Sequence, residues 1–517
     1  MSNKKTYFYL AFLFLLVNIL CGIVAISLGK DVNWDLRNYH FYNGFAFIKG
    51  VSFYNVVPAQ VQSFFNPLQD VFYYFLISHF PPKIAGFSIG FFQGCNYLFL
   101  FFITGLFLSS FAGRFRFLWA LFLPCVALYT PIFVSELGNT MGDALLAPFV
   151  LGGVFFASKA LSEVSPSRSF LLAGLLLGLA SGLKFTFVPY FLAVILSFCL
   201  IRPRKFLEIF PLLVGFVLGF LLSNGYWMWL LYKEYKNPFF PFFNQIFKSP
   251  YILDISIKDD RWLPKGILDY ILLPLRFWGL NPSKISELSF RTPAVPLAFF
   301  FCLFYVFRSL VSKKKSHVPL LFLSCFFFFS FFIWGWYFGY YRYAVILELL
   351  SPLLVFIAIF KLFRQNKRAQ LLASSLFIMA ILIFTQIPNW GRLDWSARDY
   401  FGVEPSAAFH LEKGLVFMTS YQAFSYIVPY FPESMRFVRL ESSMNYLATD
   451  LWWKKVRDII YQHKGSFYLL CPSGETASAK NTLSAFGFEI VFSSCQRIST
   501  LLDDFSFCRV KKRSEPS

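Results

Sequence analysis

Apolar stretches long enough to cross a bilayer recur along most of this chain, and that recurrence limits its fold more than any other property. They occupy residues 7–28, 84–111, 117–134, 141–160, 170–183, 185–201, 206–232, 293–311, 318–338, 343–361 and 371–388. A helix covers ~30 Å of hydrocarbon with about 20 apolar residues, and in lipid every backbone polar group must be bonded within the segment. The sequence therefore predicts an α-helical polytopic membrane protein with about eleven transmembrane helices. The two short windows flanking Lys184 read either as two crossings or as a broken, re-entrant element. A chain that is 57% hydrophobic and only 14% charged is not a soluble enzyme. Its formal charge of +20 is spread through short runs between the windows, so no nucleic-acid partner is expected.

Those basic runs set an orientation, because cytoplasmic connections retain Lys and Arg. Lys4 and Lys5, Arg114 and Arg116, Lys159 and Arg168, Arg202 and Arg204, Lys313 to Lys315, and Lys361 to Arg368 fall in alternate connections. The expectation is a multi-pass protein of the bacterial inner (cytoplasmic) membrane, N-terminus inside and C-terminus outside. No small-residue cleavage site follows the first window, which reads as a retained anchor. Residues 1–390 are expected to form a transmembrane catalytic domain whose outer loops, 30–83 and 233–292, are rich in Trp, Tyr, Phe, Asn and Pro, a composition suited to the membrane interface. Residues 391–517 read as a small extracytoplasmic α/β domain, with strands at 415–419, 436–440 and 467–471 and a helix at 446–463. Six cysteines lie in apolar windows as small hydrophobes, while Cys495 and Cys508 are near enough in sequence to close a loop in an oxidising compartment, a pairing that spacing alone does not decide.

Polar groups at or near membrane depth are costly and mark function by default. Asp31, Asp35, Asn38, Tyr39 and His40 follow the first window. Either Asp is suited to take a proton from an acceptor hydroxyl, and the bland alternative is an interfacial aromatic belt with incidental charges. Glu136 and Asp143 are seven residues apart, two turns on one face if helical, where they would share a cation or orient an acceptor sugar; the alternative is capping of the following helix. Lys184 either snorkels or offers a point charge to phosphate. Arg342, within Tyr340-Tyr341-Arg342-Tyr343, offers a planar fork of donors matched to phosphate, beside rings able to hold a polyprenyl chain, and Glu348 needs a partner to be buried. Asn237-Pro238 through Asn244 reads as a stiff rim or a rigid interfacial turn. There is no Gly-rich phosphate loop, Gly-x-Ser-x-Gly elbow or zinc-finger spacing.

Together, Trp34-Asp35 through Asn43, Glu136-x-Gly138-x-Thr140-x-x-Asp143, Gly182-x-Lys184, Asn237-Pro through Asn244, and Tyr341-Arg342-Tyr343 with Glu348 resemble the GT-C superfamily of polytopic membrane glycosyltransferases, and most closely an uncharacterised set of bacterial membrane proteins of that type. The resemblance implies a sugar donor on polyprenyl phosphate and transfer to a lipid, glycan or protein acceptor at the outer face of the membrane. It implies Asp35 as base, with Asp31 second, Asp31 and Asp35 being separated where many members have adjacent acids; Glu136 and Asp143 complete the acidic set. Arg342, Lys184 and Tyr341 would bind the donor phosphate, and His40, Asn38, Tyr39, Asn244 and Glu348 would orient substrate. Some members use a divalent metal and others do not, so Mg²⁺ or Mn²⁺ at Glu136 and Asp143 stays open; no other cofactor is expected. The competing functions are a lipid or sugar flippase or transporter, and an O-antigen ligase or polymerase; the absence of two matching halves disfavours transport.

Overall fold

The computed structural model describes residues 3–108, 116–255, 257–311, 317–395, 399–442 and 447–513. Arg114, Lys313, Lys314, Lys315 and Tyr446 lie outside the described residues. In chain order the helices begin with α1 (Asn3–Leu28), α2 (Phe41–Ile48), α3 (Leu68–His79), α4 (Pro82–Gln93), α5 (Asn96–Leu108) and α6 (Arg116–Leu128). Then come α7 (Pro131–Glu136), α8 (Asp143–Ala160), α9 (Ser167–Leu183), α10 (Val188–Ile201), α11 (Phe210–Tyr235), α12 (Asn244–Phe247) and α13 (Ile267–Arg276). The series closes with α14 (Ala294–Val311), α15 (Val318–Tyr337), α16 (Val345–Leu362), α17 (Lys367–Phe384), α18 (Asp450–Gln462) and α19 (Thr476–Ala485). Among the described residues, 8 helices are long and apolar enough to cross a membrane, and the stretches Phe117–Leu128, Ser167–Leu183 and Phe185–Ile201 are shorter apolar helices.

The chain divides into two compact units. The first comprises Met1–Leu28, Phe87–Gly225 and Lys258–Trp390, and the second Gly29–Gly86, Tyr226–Ile257 and Gly391–Ser517. In the first unit the span Tyr341–Leu362 is 83% buried, whereas Phe8–Leu28 and Lys367–Phe384 are only 17% buried. The first of these is central to its bundle, and the other two present apolar side chains outward, as lipid-facing helices do. Lipid supplies no hydrophobic drive between helices, so close backbone approach matters more. Helix α9 carries Gly174, Gly178 and Gly182 at four-residue spacing and the facing stretch carries Gly215 and Gly219; a Cβ at Gly178 would meet the Phe216 carbonyl oxygen at 2.2 Å, and one at Gly219 that of Leu175 at 2.2 Å.

The second unit contains the sheet. Strands β1 (Lys30–Asp31) and β2 (Arg392–Leu393) form an antiparallel pair. Strands β3 (Gly414–Met418), β4 (Met435–Arg439), β5 (Phe467–Pro472), β6 (Phe488–Ile490), β7 (Gln496–Ser499) and β8 (Asp504–Lys512) follow. The order is β4-β3-β5-β8-β6, with β7 also pairing β8; β3 runs parallel to β4 and β5, and β8 antiparallel to β5. Trp452, Val456 and Ile460, four apart on α18, pack in one core with Leu415, Phe417, Leu469 and Cys508. The three expected strands and the expected helix are present, shifted by a residue or a few. Cys495 and Cys508 are joined in a disulfide. Val56, from the segment before α3, bridges to the edge of β4: its N–H donates to Phe437 O (2.8 Å), and its carbonyl accepts from Arg439 N (3.0 Å).

Candidate functional site

In the first unit the polar chemistry collects where α7 ends and α8 begins. Glu136 is the last residue of α7 and Asp143 the first of α8. The loop between them turns on Gly138 (φ 80°) and Gly142 (φ 88°), left-handed positions that favour glycine. The expectation that Glu136 and Asp143 share one face of a continuous helix is therefore corrected, because the two residues belong to different helices. Glu136 Oε2 accepts from Ala144 N–H (2.8 Å) in the first turn of α8, so Glu136 caps that helix. Gln93 braces the same loop: its Nε2 donates to Glu136 O (2.9 Å) and its Oε1 accepts from Gly138 N–H (2.6 Å). Glu136 Oε1 is buried with no hydrogen-bond partner among the described residues. Burial, followed by the charge of Asp143, holds the Glu136 carboxyl well above the usual carboxylate range.

Asp143 is buried between two cations. Lys184 Nζ lies 2.6 Å from its Oδ1 and also donates to Met141 O (2.8 Å). Arg342 Nε lies 3.6 Å from Oδ2, a Coulombic neighbour at more than hydrogen-bond length. Lys184 occupies the extended break between α9 and the short turn Phe185–Phe187 that leads into α10, a break in the apolar run that carries a cation to the acid. Aromatic faces line this cation pair: the Tyr343 ring centre is 5.4 Å from Lys184 Nζ, and the Tyr340, Tyr343 and Trp390 centres are 5.4, 5.6 and 5.9 Å from Arg342 Cζ. Trp390 is itself fixed, its Nε1 donating to Ser135 Oγ (3.1 Å).

One layer deeper, Tyr341 OH donates to Glu348 Oε1, and Glu348 Oε2 accepts from Ile132 N–H (2.9 Å) at the start of α7. The Tyr341 ring stacks on Phe290 at 3.3 Å between centres. Two buried glutamates thus each meet a helix N-terminus, while Asp143 meets side-chain cations. Glu136 and Asp143 do not belong to a group of three or more metal-ligating side chains among the described residues, and Lys184 stands against Asp143 where a divalent ion would need the carboxylate, so the residues do not fit a metal centre.

In the second unit, residues Leu36–His40 form a π-helical turn leading into α2. Asp31 is buried and accepts from Asn33 through both its side-chain Nδ2 (2.7 Å) and its backbone N–H (3.0 Å). Asp35 is half-buried just before the turn, and Trp34 is exposed. Asn38 Nδ2 donates to Gln62 Oε1 (3.2 Å) and to Ala59 O (3.3 Å), and Tyr39 packs against Phe65 and His40. His40 Nδ1 lies 2.5 Å from Asp70 Oδ1. Asn244 is turned inward: its Nδ2 reaches Ser249 O (3.1 Å) and Ile252 O (3.1 Å), and its Oδ1 accepts from Ser249 N–H (2.7 Å), so both polar ends hold the loop.

Sequence reading did not single out Gln93, Trp390 or Asp70. Gln93 was visible as a lone amide inside an apolar window, and Asp70 as a carboxylate amid aromatic residues just after Pro67. Trp390 carried no such signal.

No family model and no curated protein sequence matches the chain. Among solved structures, ArnT from Cupriavidus metallidurans bound to undecaprenyl phosphate superposes with a TM-score of 0.54 at 12% identity, over 98% of this chain and 99% of that one. The apo state of the same protein gives a TM-score of 0.47 at 12% identity, over 98% of each chain. End-to-end superposition on ArnT, with apolar helices followed by a small C-terminal sheet domain, gives this chain the fold of ArnT.

Proposed function

We propose that this protein is a glycosyltransferase that moves a hexosyl or pentosyl group from a polyprenyl-phosphate donor to an envelope acceptor at the outer face of the bacterial inner membrane, with its N-terminus inside and C-terminus outside. The observation that carries the reading is the pair Lys184 and Arg342 on the buried Asp143, framed by Tyr340, Tyr343 and Trp390. One carboxylate between two cations leaves positive charge for an anion of lipid origin, and the rings suit the chain attached to it. ArnT, which has the same fold, was crystallised with undecaprenyl phosphate.

In this reading Arg342 and Lys184 offset the charge that grows on the departing phosphate as the anomeric C–O bond breaks, and burial strengthens that effect. Asp35 removes the proton from the acceptor hydroxyl whose oxygen forms the new bond. The test is binding of undecaprenyl phosphate to the purified protein in detergent, together with mass spectrometry of envelope glycolipids with and without the gene. Arg342→Ala is expected to weaken binding at least ~10-fold and Arg342→Lys by less. Equal binding by all three proteins, or an unchanged glycolipid profile, overturns the reading.

A further inference from the structure

Helices α8 and α9 of the first unit form a hairpin with Asp143 and Lys184 at its open end. At the opposite, turn end a cavity of about 620 Å³ opens between the last turn of α8 and the first of α9, lined by Phe156, Lys159, Glu163, Arg168, Ser169 and Leu172 among others. Helix α8 is 18 residues long. At ~1.5 Å a residue its ends lie about 27 Å apart, close to the ~30 Å of hydrocarbon in a bilayer.

The cavity gathers donors that nothing else uses. No side chain caps the N-terminus of α9. The first backbone N–H to bond back is that of Phe170, to Pro166 O (2.9 Å), so the N–H groups of Arg168 and Ser169 have no acceptor among the described residues. Open N–H groups and the helix dipole both favour an anion at such a terminus. Ser169 is only 4% exposed, yet it lines the cavity and its hydroxyl has no hydrogen-bond partner among the described residues. The nearby cations differ in their commitments. Lys159 Nζ lies 3.3 Å from Glu163 Oε1, and Arg202 is spent on Leu161 O (2.7 Å) and Glu208 (3.5 Å). Arg168 is exposed and has no ion pair among the described residues. Phe156 and Leu172 add an apolar wall one turn deeper along each helix.

We infer that this cavity binds the phosphate of an anionic phospholipid from the leaflet opposite Asp143. The phosphate oxygens accept from the Arg168 and Ser169 N–H groups, the Ser169 hydroxyl and the Arg168 guanidinium, while the acyl chains follow Phe156 and Leu172 into the bilayer. The apolar wall favours a lipid over free phosphate. Two cations, Lys159 and Arg168, against the one carboxylate of Glu163 leave a positive lining that favours an anionic lipid over a zwitterionic one. The site is separate from the transferase chemistry, and neither depends on the other.

The experiment titrates phosphatidylglycerol, phosphatidylcholine and inorganic phosphate onto the full-length protein in detergent, with bound lipid counted by native mass spectrometry. Phosphatidylglycerol is expected to bind ~5-fold tighter than phosphatidylcholine and to stay bound in excess inorganic phosphate. Arg168→Ala is expected to weaken phosphatidylglycerol binding ~5-fold and Ser169→Ala ~3-fold. Arg308→Ala makes the same charge change in the last turn of α14 and is expected to leave binding within ~2-fold. Glu163→Gln removes the opposing carboxylate and is expected to tighten binding ~3-fold, a gain that misfolding cannot produce. Equal losses in Arg168→Ala and Arg308→Ala would mean diffuse attraction of lipid to surface charge and overturn the site. Displacement of the lipid by inorganic phosphate, or equal binding of the two lipids, overturns the assignment to an anionic phospholipid.

Discussion

Lys184 Nζ sits 2.6 Å from Asp143 Oδ1, the acid opening α8 and the cation standing in the extended break between α9 and α10. Arg342 approaches the same carboxylate, so removing its charge strands two cations in a site where their side chains are only 16% and 8% exposed. Asp143→Asn is expected to destabilise the protein by about 3–5 kcal/mol, the usual result of leaving buried charge unpaired. Thermal unfolding in detergent would register it as a large fall in Tm. The double variant Asp143→Asn/Lys184→Met should recover part of that loss, and failure to recover any would show that the pair is not coupled.

Glu136 gives the protein a pH dependence with a definite sign. Burial and Asp143 raise its pKa on folding. Its contribution is then fully present below the carboxylate pKa of the unfolded chain and is lost as pH rises through the higher folded value. Tm in detergent should fall over that window in the wild type and fall less in Glu136→Gln, which keeps an acceptor for the Ala144 N–H. Asp70, also raised by burial and opposed by His40, contributes slope of the same sign and remains in the variant. Parallel curves for the two proteins would refute the role assigned to Glu136.

Much of this fold could be read from hydropathy because lipid leaves the backbone few choices. The apolar windows are helical, those at 84–111 and 117–134 each divided between two helices, and the strands at Gly414–Met418 and Met435–Arg439 appeared where short apolar runs were bounded by turn residues. Strands β6, β7 and β8 were missed: β6 and β7 are only 3 and 4 residues long, and the alternation in Asp504–Lys512 changes phase at Cys508. Cys495 and Cys508 were flagged by spacing, yet only the pairing of the β7 and β8 hairpin shows why they meet. The polar residues of the candidate site were found because charge near membrane depth stands out in sequence. Their partners were not, since Asp143 with Arg342, and His40 with Asp70, meet only through packing. The Glu136–Asp143 spacing misled because seven residues fit two helical turns as well as they fit a glycine-hinged loop.

The α9 glycines supply a test of packing without chemistry. A methyl at Gly178 would stand 2.2 Å from the Phe216 carbonyl oxygen, whereas one at Gly105 meets nothing within 4 Å. Gly178→Ala must therefore push two backbones apart, at an expected loss of about 1–3 kcal/mol. Gly105→Ala should be neutral or slightly stabilising, since alanine suits a helix better than glycine. Unfolding of both variants in the same detergent checks the contrast, and equal Tm values would mean that the glycines do not control helix approach.

Tyr341 and Glu348 form a second buried polar pair in the first unit. The carboxylate accepts from Tyr341 OH and Ile132 N–H, and Tyr341 and Glu348 are both fully buried. Tyr341→Phe removes one partner while leaving the ring stacked on Phe290, so Glu348 keeps its desolvation cost with one bond fewer. The expected loss is about 1–3 kcal/mol. Glu348→Gln keeps an acceptor for Ile132 N–H and carries no charge, so the hydroxyl should matter less in its presence. In a double-mutant cycle, Tyr341→Phe measured on the Glu348→Gln background should therefore show a loss reduced by at least about 0.5 kcal/mol. Additive losses would mean that the Tyr341 hydroxyl and the Glu348 carboxylate are not coupled.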